Sequence, residues 1–375
     1  MADIEDEWHY PRLELAQQLL HLFDLGLSSA RGLFARRRMG KTAFLVADLL
    51  PAAHAAGYLT AYTNLWDDAD HPGQALVAAI AAAVEPKGVA RFWLRLNTPL
   101  KSIKGSGKLV GVADAGLELN LEARERIAVP ALQQALQTAD ARRKKLLLVI
   151  DEAQVLARPE HGTLAHALRA GLDTRKARIK VVFAGSSESA LRDMFGKPAA
   201  PFYNWASVEP FELLGRSFVV AMVKRTNSLA RHRLALADAL AAFGALNETP
   251  QFLRWYLERY LVHQTEGAAA ALARTRERIH DELGFARTWA VLIAADRALL
   301  LLLAQGARDL HGAATLARVG SLLGLGEAAK VSTVQNALRR LCSQRVGLLA
   351  KLDHGRYRFE SSEFEEWVKL GGTVS

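Results

Sequence analysis

The sequence has almost no cysteine and no long apolar run, and each shortage excludes a class of protein. Cys342 is the only cysteine among 375 residues, so neither an intramolecular disulfide nor a metal site built from cysteines can form. No segment reaches the roughly 18 uninterrupted apolar residues of a membrane span, and the acidic, aromatic N-terminus lacks a signal-peptide pattern. We therefore expect a folded cytoplasmic protein with no membrane contact.

Negative charge is also in short supply. Lys and Arg number 48 against 39 for Asp and Glu, so the formal net charge is +9. This balance favours an acidic partner such as nucleic acid, although a basic surface also keeps a protein soluble. The basic residues cluster in short segments, at 36–38, 142–145, 175–180 and 339–340.

Residues 35–42 read Ala-Arg-Arg-Arg-Met-Gly-Lys-Thr, which matches the phosphate-binding loop G-x-x-x-x-G-K-[ST] except that Ala35 replaces the first glycine. In such a loop, backbone N–H groups at a helix N-terminus hold polyphosphate, while Lys41 supplies a point charge and Thr42 a Mg²⁺ ligand. A chance Gly-Lys-Thr at a helix start is the alternative. The predicted nucleotide-binding residues are Ala35, Arg36, Arg37, Arg38, Met39, Gly40, Lys41 and Thr42.

A second element lies further along the chain, where the apolar run 146–150 ends in Asp151 and Glu152. This is the pattern of a buried parallel strand that brings two carboxylates to its C-terminal edge. We expect Asp151 to hold Mg²⁺ through water and Glu152 to orient or deprotonate the attacking water. A buried strand before an acidic helix start is the alternative for this pair alone. Together, the two motifs predict binding of ATP and Mg²⁺.

The order of the remaining patterns predicts an α/β core. Strand and helix patterns alternate over 30–84, which favours a parallel sheet. A further strand at 179–184 ends in Gly185, Ser186 and Ser187, whose polar groups can face the γ-phosphate. No long linker interrupts these patterns, so residues 1–214 are predicted to form one core.

Residues 99–122 interrupt the core with a glycine-rich stretch, which we interpret as an inserted hairpin or loop. Lys101, Lys104 and Lys108 make it a candidate DNA-contacting loop. A mobile solvated loop is the alternative.

The rest of the chain predicts two smaller domains. Residues 215–284 are helical throughout, as in a small helical lid, and 285–375 read as helices followed by a hairpin, the plan of a winged helix. In the helix predicted at 332–344, Gln335 and Asn336 can read adenine, and Arg339 or Arg340 can reach guanine or phosphate. Arg356 lies in the wing. Dimerisation or docking to a protein is the alternative for this domain.

With these pieces, the chain resembles the AAA+/STAND group of P-loop ATPases, in particular the archaeal-type ATPases that end in a winged helix. The resemblance runs nearly end to end, and beyond the two phosphate motifs it is carried by Tyr10-Pro11-Arg12-x-Glu14-Leu15, Phe183-Ala184-Gly185-Ser186-Ser187, Pro201-Phe202-Tyr203, Tyr357-Arg358-Phe359 and Phe364-Glu365-Glu366-Trp367-Val368. It implies a catalytic role for Lys41 and Glu152, with Ser186 as the first sensor. It also implies that Thr249-Pro250 belongs to the lid, where Arg254 is the candidate second sensor.

Two positions depart from the family pattern. Ala35 carries a Cβ that resists positive φ, which predicts a reshaped loop or slow turnover. Asn204 and Trp205 stand where relatives often carry Gly-Arg. If that arginine acts on the nucleotide of a neighbouring subunit, its absence favours a switch over a motor, because an arginine finger contributes about 10³ to 10⁵ in rate.

Two functions follow from these features. The first is a Mg²⁺-dependent ATPase switch that engages double-stranded DNA through the winged helix. The rival is a signalling or scaffold ATPase that forms homo-oligomers with ATP and binds protein partners instead of DNA. A small-molecule P-loop kinase is a third reading, but it leaves the last 90 or so residues without a role.

Overall fold

The computed structural model describes residues 6–84, 128–343, 346–352 and 356–371. The insertion expected at 99–122 and the hairpin turn at 353–355 lie outside the described residues. The chain divides into two compact units, Met1–Glu212 and Leu213–Ser375. None of the helices in the described ranges combines the length and hydropathy that crossing a membrane requires.

The first unit is built on a five-stranded sheet in the order β2-β3-β4-β1-β5, and every pair of neighbouring strands is parallel. The strands are β1 Ala30–Phe34, β2 Leu59–Asn64, β3 Leu146–Asp151, β4 Ile179–Gly185 and β5 Ser207–Pro210. β5 is an edge strand that the sequence patterns did not predict. It is short and carries a half-buried Glu209 and an exposed Pro210, so it lacks the apolar run that marks the central strands.

Helices cover both faces of this sheet. They are α1 Leu13–Asp24, α2 (the consecutive segments Lys41–Ala43, Phe44–Leu49 and Leu50–Ala55), α3 Pro72–Val84, α4 (described over 128–140), α5 Gly162–Asp173 and α6 Glu188–Gly196. α1 and α2 pack on Leu147 and Val149 of β3, whereas α3 to α6 pack on Leu148 and Ile150. Successive strand residues point to opposite faces, so a strand covered on both sides must be apolar throughout. This is why β3 is buried along its whole length.

Strand order brings the predicted site residues to one edge. β4 lies between β1 and β3, with Phe34 level with Gly185 and Ile150 level with Phe183. Because the strands are parallel, the segments after β1, β3 and β4 all leave the sheet at the same end. Ligands in open α/β sheets bind at this carboxyl end.

The second unit begins with four helices and ends with a separate hydrophobic cluster. The helices are α7 Arg216–Leu229, α8 Leu236–Ala245, α9 Pro250–Val262 and α10 Gly267–Leu283. After them come α11 Phe285–Val291, α12 Ala294–Ala304, α13 Ala313–Leu322, α14 Val331–Leu341, β6 Leu349–Lys351, β7 Tyr357–Phe359 and α15 Ser362–Gly371. β6 and β7 pair antiparallel. Side chains from Phe285 to Val368 form one buried cluster, so this segment has a core of its own.

The apolar stretch at 286–304 is divided between two helices, α11 and α12. The chain is extended at Leu292 and Ile293. Arg297 donates to Trp289 O and to Ala290 O, both at 3.1 Å, so it satisfies carbonyls at the end of α11. Because Arg297 of the following helix caps the end of α11, the sequence carries no glycine or proline there to mark the helix end.

Candidate nucleotide-binding site

The phosphate loop follows β1 directly. Ala35 is buried, and its N–H donates to Gly185 O at 3.2 Å, which extends the pairing of β1 with β4. The positive φ angles of the loop fall on Arg38 (68°) and Gly40 (80°), and Ala35 is not among the positive-φ residues. The strain expected from the Cβ of Ala35 is therefore absent, because the loop turns three to five residues later.

Lys41 and Thr42 begin α2 and converge on Asp151 at the end of β3. The Lys41 ammonium forms an ion pair with Asp151 Oδ1, and Thr42 Oγ1 donates to Asp151 Oδ2 at 2.7 Å. The Lys41 side chain is 6% exposed and that of Asp151 is fully buried. A buried charge lowers stability unless it is paired and hydrogen-bonded, as these two are. The residues that the two motifs predicted to act together are thus in contact.

Glu152 follows Asp151 with a left-handed backbone, at φ 53° and ψ 41°. A non-glycine residue in this region costs on the order of 1–3 kcal/mol and persists only where its surroundings hold it. Ser186 Oγ donates to Glu152 Oε2 at 2.7 Å, and Gln154 Nε2 donates to the same oxygen at 2.5 Å. Lys41 Nζ lies 3.6 Å from Glu152 Oε1. Three elements therefore fix the carboxylate of Glu152 beside the lysine.

Gln154 and Tyr62 belong to this site although the sequence analysis gave them no role. Gln154 packs against the end of β4, where a Cβ on Gly185 would meet its Oε1 at 2.4 Å. Tyr62 OH lies 3.4 Å from Asp151 Oδ2, and burial, followed by the charge of Asp151, raises the pKa of Tyr62. The protonated hydroxyl can therefore donate to Asp151. Gln154 adjoins a recognised motif and could have been suspected, whereas Tyr62 is one of several polar residues on β2.

The donor set fits Mg²⁺ and polyphosphate. Thr42 Oγ1 and Asp151 Oδ2 are oxygen ligands of the type that Mg²⁺ takes, which is one or two protein oxygens together with waters and phosphates. Lys41 adds a cation beside them, and Gly40 introduces α2 with room for a ligand, since a Cβ built there meets nothing within 4 Å. Gln154 Oε1 is buried without a hydrogen-bond partner among the described residues.

The arginines of the loop have different surroundings. The Arg37 guanidinium lies 5.2 Å from the ring centroid of Trp66, which follows β2 and is 48% exposed. Arg36 and Arg38 are half-buried, and Met39 is buried against the layer formed by α1 and α2. The loop therefore presents positive charge along its length and anchors itself through an apolar residue.

The remaining predicted residues lie in the second unit. Arg254 is half-buried in α9. In α14, Gln335, Asn336 and Arg339 are exposed, and Arg339 Nη1 donates to Asn336 Oδ1 at 3.2 Å. Arg356 is exposed before β7. The helix expected at 332–344 ends at Leu341 with Cys342 as its C-cap.

Arg340 differs from its neighbour. Its guanidinium donates to both carboxylate oxygens of Asp296, at 2.6 Å to Oδ1 and 3.2 Å to Oδ2. Asp296 is 5% exposed at its side chain, whereas Arg340 is 42% exposed. Arg340 therefore links α14 to α12. A DNA contact through Arg340 would have to share the guanidinium with Asp296.

Several solved structures have a fold similar to that of this chain. A Walker-type ATPase of Pyrococcus abyssi superposes with a TM-score of 0.60 at 17% identity, over 97% of this chain and 97% of that chain. The Aeropyrum pernix ORC2 protein gives 0.54 as ADPNP–ADP complexes and 0.55 in its ADP form, at 14% identity, over 95% of this chain and 91% of that chain. No protein-family model matches the sequence, and no curated protein matches it either. The chain shares the fold of these proteins, which confirms the predicted α/β class with its parallel-sheet core, and confirms the resemblance at the level of fold.

Proposed function

We propose that the protein binds and hydrolyses ATP in a Mg²⁺-dependent manner. The observation that carries the proposal is the meeting of Lys41, Thr42 and Asp151 at the end of β3, with Glu152 beside them. Two motifs separated by more than a hundred residues share one buried ion pair. A chance Gly-Lys-Thr and an unrelated acidic helix start would have no reason to meet.

Each residue has a distinct task in this proposal. The backbone from Ala35 to Gly40 and the Lys41 ammonium hold the phosphates, and Thr42 and Asp151 hold the metal. Mg²⁺, when bound, supplies neutralisation of the charge that develops on the transferred phosphoryl group. Glu152 accepts a proton from, or orients, the attacking water, and Ser186 and Gln154 position the Glu152 carboxylate through hydrogen bonds.

The test is ATP turnover with and without Mg²⁺, together with equilibrium binding of a fluorescent ATP analogue. We expect phosphate release that requires Mg²⁺ and a dissociation constant that Lys41→Ala raises steeply. Binding of the analogue with equal affinity to wild-type and Lys41→Ala protein would contradict the proposal.

We further propose that residues 215–284 form a lid and 285–375 a winged helix, through which an ATP-dependent switch in the cytoplasm engages duplex DNA. The support is the order of α12, α13, α14 and the β6–β7 hairpin, and the exposed side chains of Gln335, Asn336 and Arg339 on α14. Arg356 and Arg254 enter as the wing contact and the second sensor. Nucleotide would act by changing how the lid holds the winged helix.

The DNA proposal is tested with Arg339→Ala and Arg340→Ala side by side. A base or phosphate contact by Arg339 predicts a loss of about 1–3 kcal/mol in DNA binding, measured by anisotropy at fixed salt with and without ATP. Arg340→Ala should chiefly lower stability, by about 1 kcal/mol after allowance for solvent screening, because Asp296 loses its partner. Equal, negligible DNA binding by the wild-type protein in both nucleotide states at low salt would exclude the switch.

A protein-binding scaffold is the second candidate, and the segment after Phe202 favours it. Trp205 packs against Phe183 and Phe202, with the Arg169 guanidinium 4.6 Å from its ring. The turn therefore carries a partly buried aromatic residue where relatives often carry an arginine. Two results would favour this candidate. Light scattering would show that homo-oligomers form only with ATP, and ATPase assays would show the same turnover with and without DNA.

A further inference from the structure

The first unit has a second charged surface, at the end of the sheet where the strands begin. β3 starts at Leu146 and β4 at Ile179, and the two residues are partners in the parallel register. The segments that lead into them must therefore lie side by side. Leu146 N donates to Arg178 O at 2.9 Å, and Arg178 Nη1 donates to Arg143 O at 3.0 Å. Two basic segments that are far apart in sequence are thus joined into one rigid edge.

We call this surface the strand-start basic patch, and it consists of Arg142, Arg143, Lys144, Lys145, Lys176 and Arg178. All but the half-buried Lys145 are exposed. Lys145 pairs with Asp24 at 3.1 Å and Lys176 with Asp173 at 2.6 Å. Over the stretches that the structure describes, no carboxylate lies within ion-pair distance of the other four cations.

Taken together, the positive charges of the patch do not stabilise the fold. Clustered like charges repel and destabilise a compact state. Beneath the patch, Lys180 is 4% exposed and its Nζ donates to Lys176 O at 2.8 Å. Its burial, and after that the charge of Lys145, lower its pKa. An arrangement that costs stability and exposes four cations with no carboxylate partner in the described part of the chain fits a polyanionic partner.

The chemistry of the patch selects among polyanions. None of the large hydrophobic side chains that are exposed in the described part of the chain lies in 139–146 or 173–180. Protein interfaces are anchored by apolar or aromatic side chains, membrane-surface helices bury an apolar face, and single-stranded nucleic acid stacks on aromatic side chains. The phosphate backbone of a duplex needs only cations and N–H donors.

We propose that the strand-start basic patch binds the phosphate backbone of duplex DNA, independently of the winged helix. β3 has six residues, so the patch lies about 20 Å from Asp151 along the strand. DNA on the patch therefore leaves the nucleotide site open. The ATPase unit itself holds DNA without regard to sequence, whatever α14 contacts.

The experiment compares two triple variants of the full chain. Arg142→Gln with Arg143→Gln and Lys144→Gln removes three charges from the patch. The control, Lys224→Gln with Arg231→Gln and Arg233→Gln, removes three exposed charges from the second unit. Affinity for a duplex of about two helical turns is measured by fluorescence anisotropy over a salt series, and binding of a fluorescent ATP analogue reports whether each variant is folded.

We expect the patch variant to lose about 10-fold to 100-fold in affinity near 0.1 M salt, with a dependence of log K on log salt that is less steep by about 2–3. The control should lose less than about 3-fold, and both should bind the ATP analogue as the wild type does. The patch loss should persist in an Arg339→Ala background. A loss seen only with Arg339→Ala would overturn the patch and leave the winged-helix proposal intact.

Three other results would also overturn the patch proposal. They are an equal loss in the control variant, the failure of wild-type protein to bind duplex at low salt, and loss of binding to anionic phospholipid vesicles with duplex binding unchanged. A loss in the patch variant without one for Arg339→Ala would uphold the patch and remove the contact assigned to α14.

Discussion

The two ends of the five-stranded sheet both bury a lysine, and they treat its charge in opposite ways. Where the strands end, the Lys41 ammonium contacts Asp151, with Glu152 3.6 Å away. Where the strands begin, Lys180 is as deeply buried, but its Nζ contacts a backbone carbonyl, and no carboxylate of the described residues pairs with it.

The difference separates two kinds of anion site. At the strand ends, positive and negative groups compensate each other inside the protein, so a bound phosphate would be held by a few preorganised contacts. At the strand starts, Arg142, Arg143, Lys144 and Arg178 are exposed with no carboxylate partner among the described residues, so an anion would be held by long-range attraction that salt screens. The first arrangement suits a specific small ligand, and the second suits an extended one.

Removal of Lys41 should have the largest effect of any single change. Lys41→Ala deletes the phosphate contact and leaves Asp151 with Thr42 and Tyr62 as its remaining side-chain partners, so affinity for an ATP analogue should fall about 100-fold or more. The loss of one partner from a buried ion pair should also lower the free energy of unfolding by up to about 3–5 kcal/mol. Denaturant titration measures this, with Lys224→Ala as an exposed control. Unchanged stability would contradict the comparison, because the ion pair of Lys41 with Asp151 would then contribute nothing and Lys41 would not differ from Lys180.

Glu152→Gln separates binding from turnover at the same end of the sheet. The amide keeps the shape of the side chain and an acceptor for Ser186 Oγ, but it cannot take a proton, so turnover should fall by about 10² to 10⁴. Affinity for ATP should stay within about threefold of the wild type, since Lys41 and Thr42 are untouched. Single-turnover assays with bound ATP measure both quantities. Hydrolysis at the wild-type rate would remove Glu152 from its assigned role.

Ser186→Ala tests a positioning residue and should act more weakly. Ser186 Oγ donates to Glu152 Oε2 at 2.7 Å, while Gln154 continues to hold the same oxygen. The loss of one hydrogen bond to a charged group predicts a fall in kcat of about 10-fold with little change in affinity. Ser186→Thr, which keeps the hydroxyl, is the matched control and should recover most of the rate. A similar loss in both variants would assign Ser186 to packing.

The site residues that could be predicted from sequence alone all belong to short contiguous motifs. Gly40-Lys41-Thr42 and Asp151-Glu152 prescribe a local backbone next to a strand end, so parallel strands bring them together. The strand-start basic patch depends instead on which strands are neighbours, because Arg143 and Arg178 meet only through the pairing of β3 with β4. Tyr62, β5 and the break between α11 and α12 likewise depend on tertiary contacts that leave no local signal.

Lys180→Met should have the smallest effect. It should raise the free energy of unfolding, whereas Lys41→Ala lowers it. Burial, and then the charge of Lys145, lower the pKa of Lys180. Between this lowered pKa and 10.5, the unfolded chain binds more protons at this position than the folded protein, so this group makes stability rise with pH. The penalty is fully present below that window, where Met should stabilise the protein by about 1 kcal/mol. The gain should shrink as the pH rises toward 10.5. Burial also raises the pKa of Tyr58. Tyr58 titrates in both proteins, so its contribution cancels in the difference between their denaturation midpoints.

A Met variant that is less stable than the wild type at neutral pH would mean that Lys180 has a compensating partner, as Lys41 does, and the contrast between the two ends of the sheet would disappear.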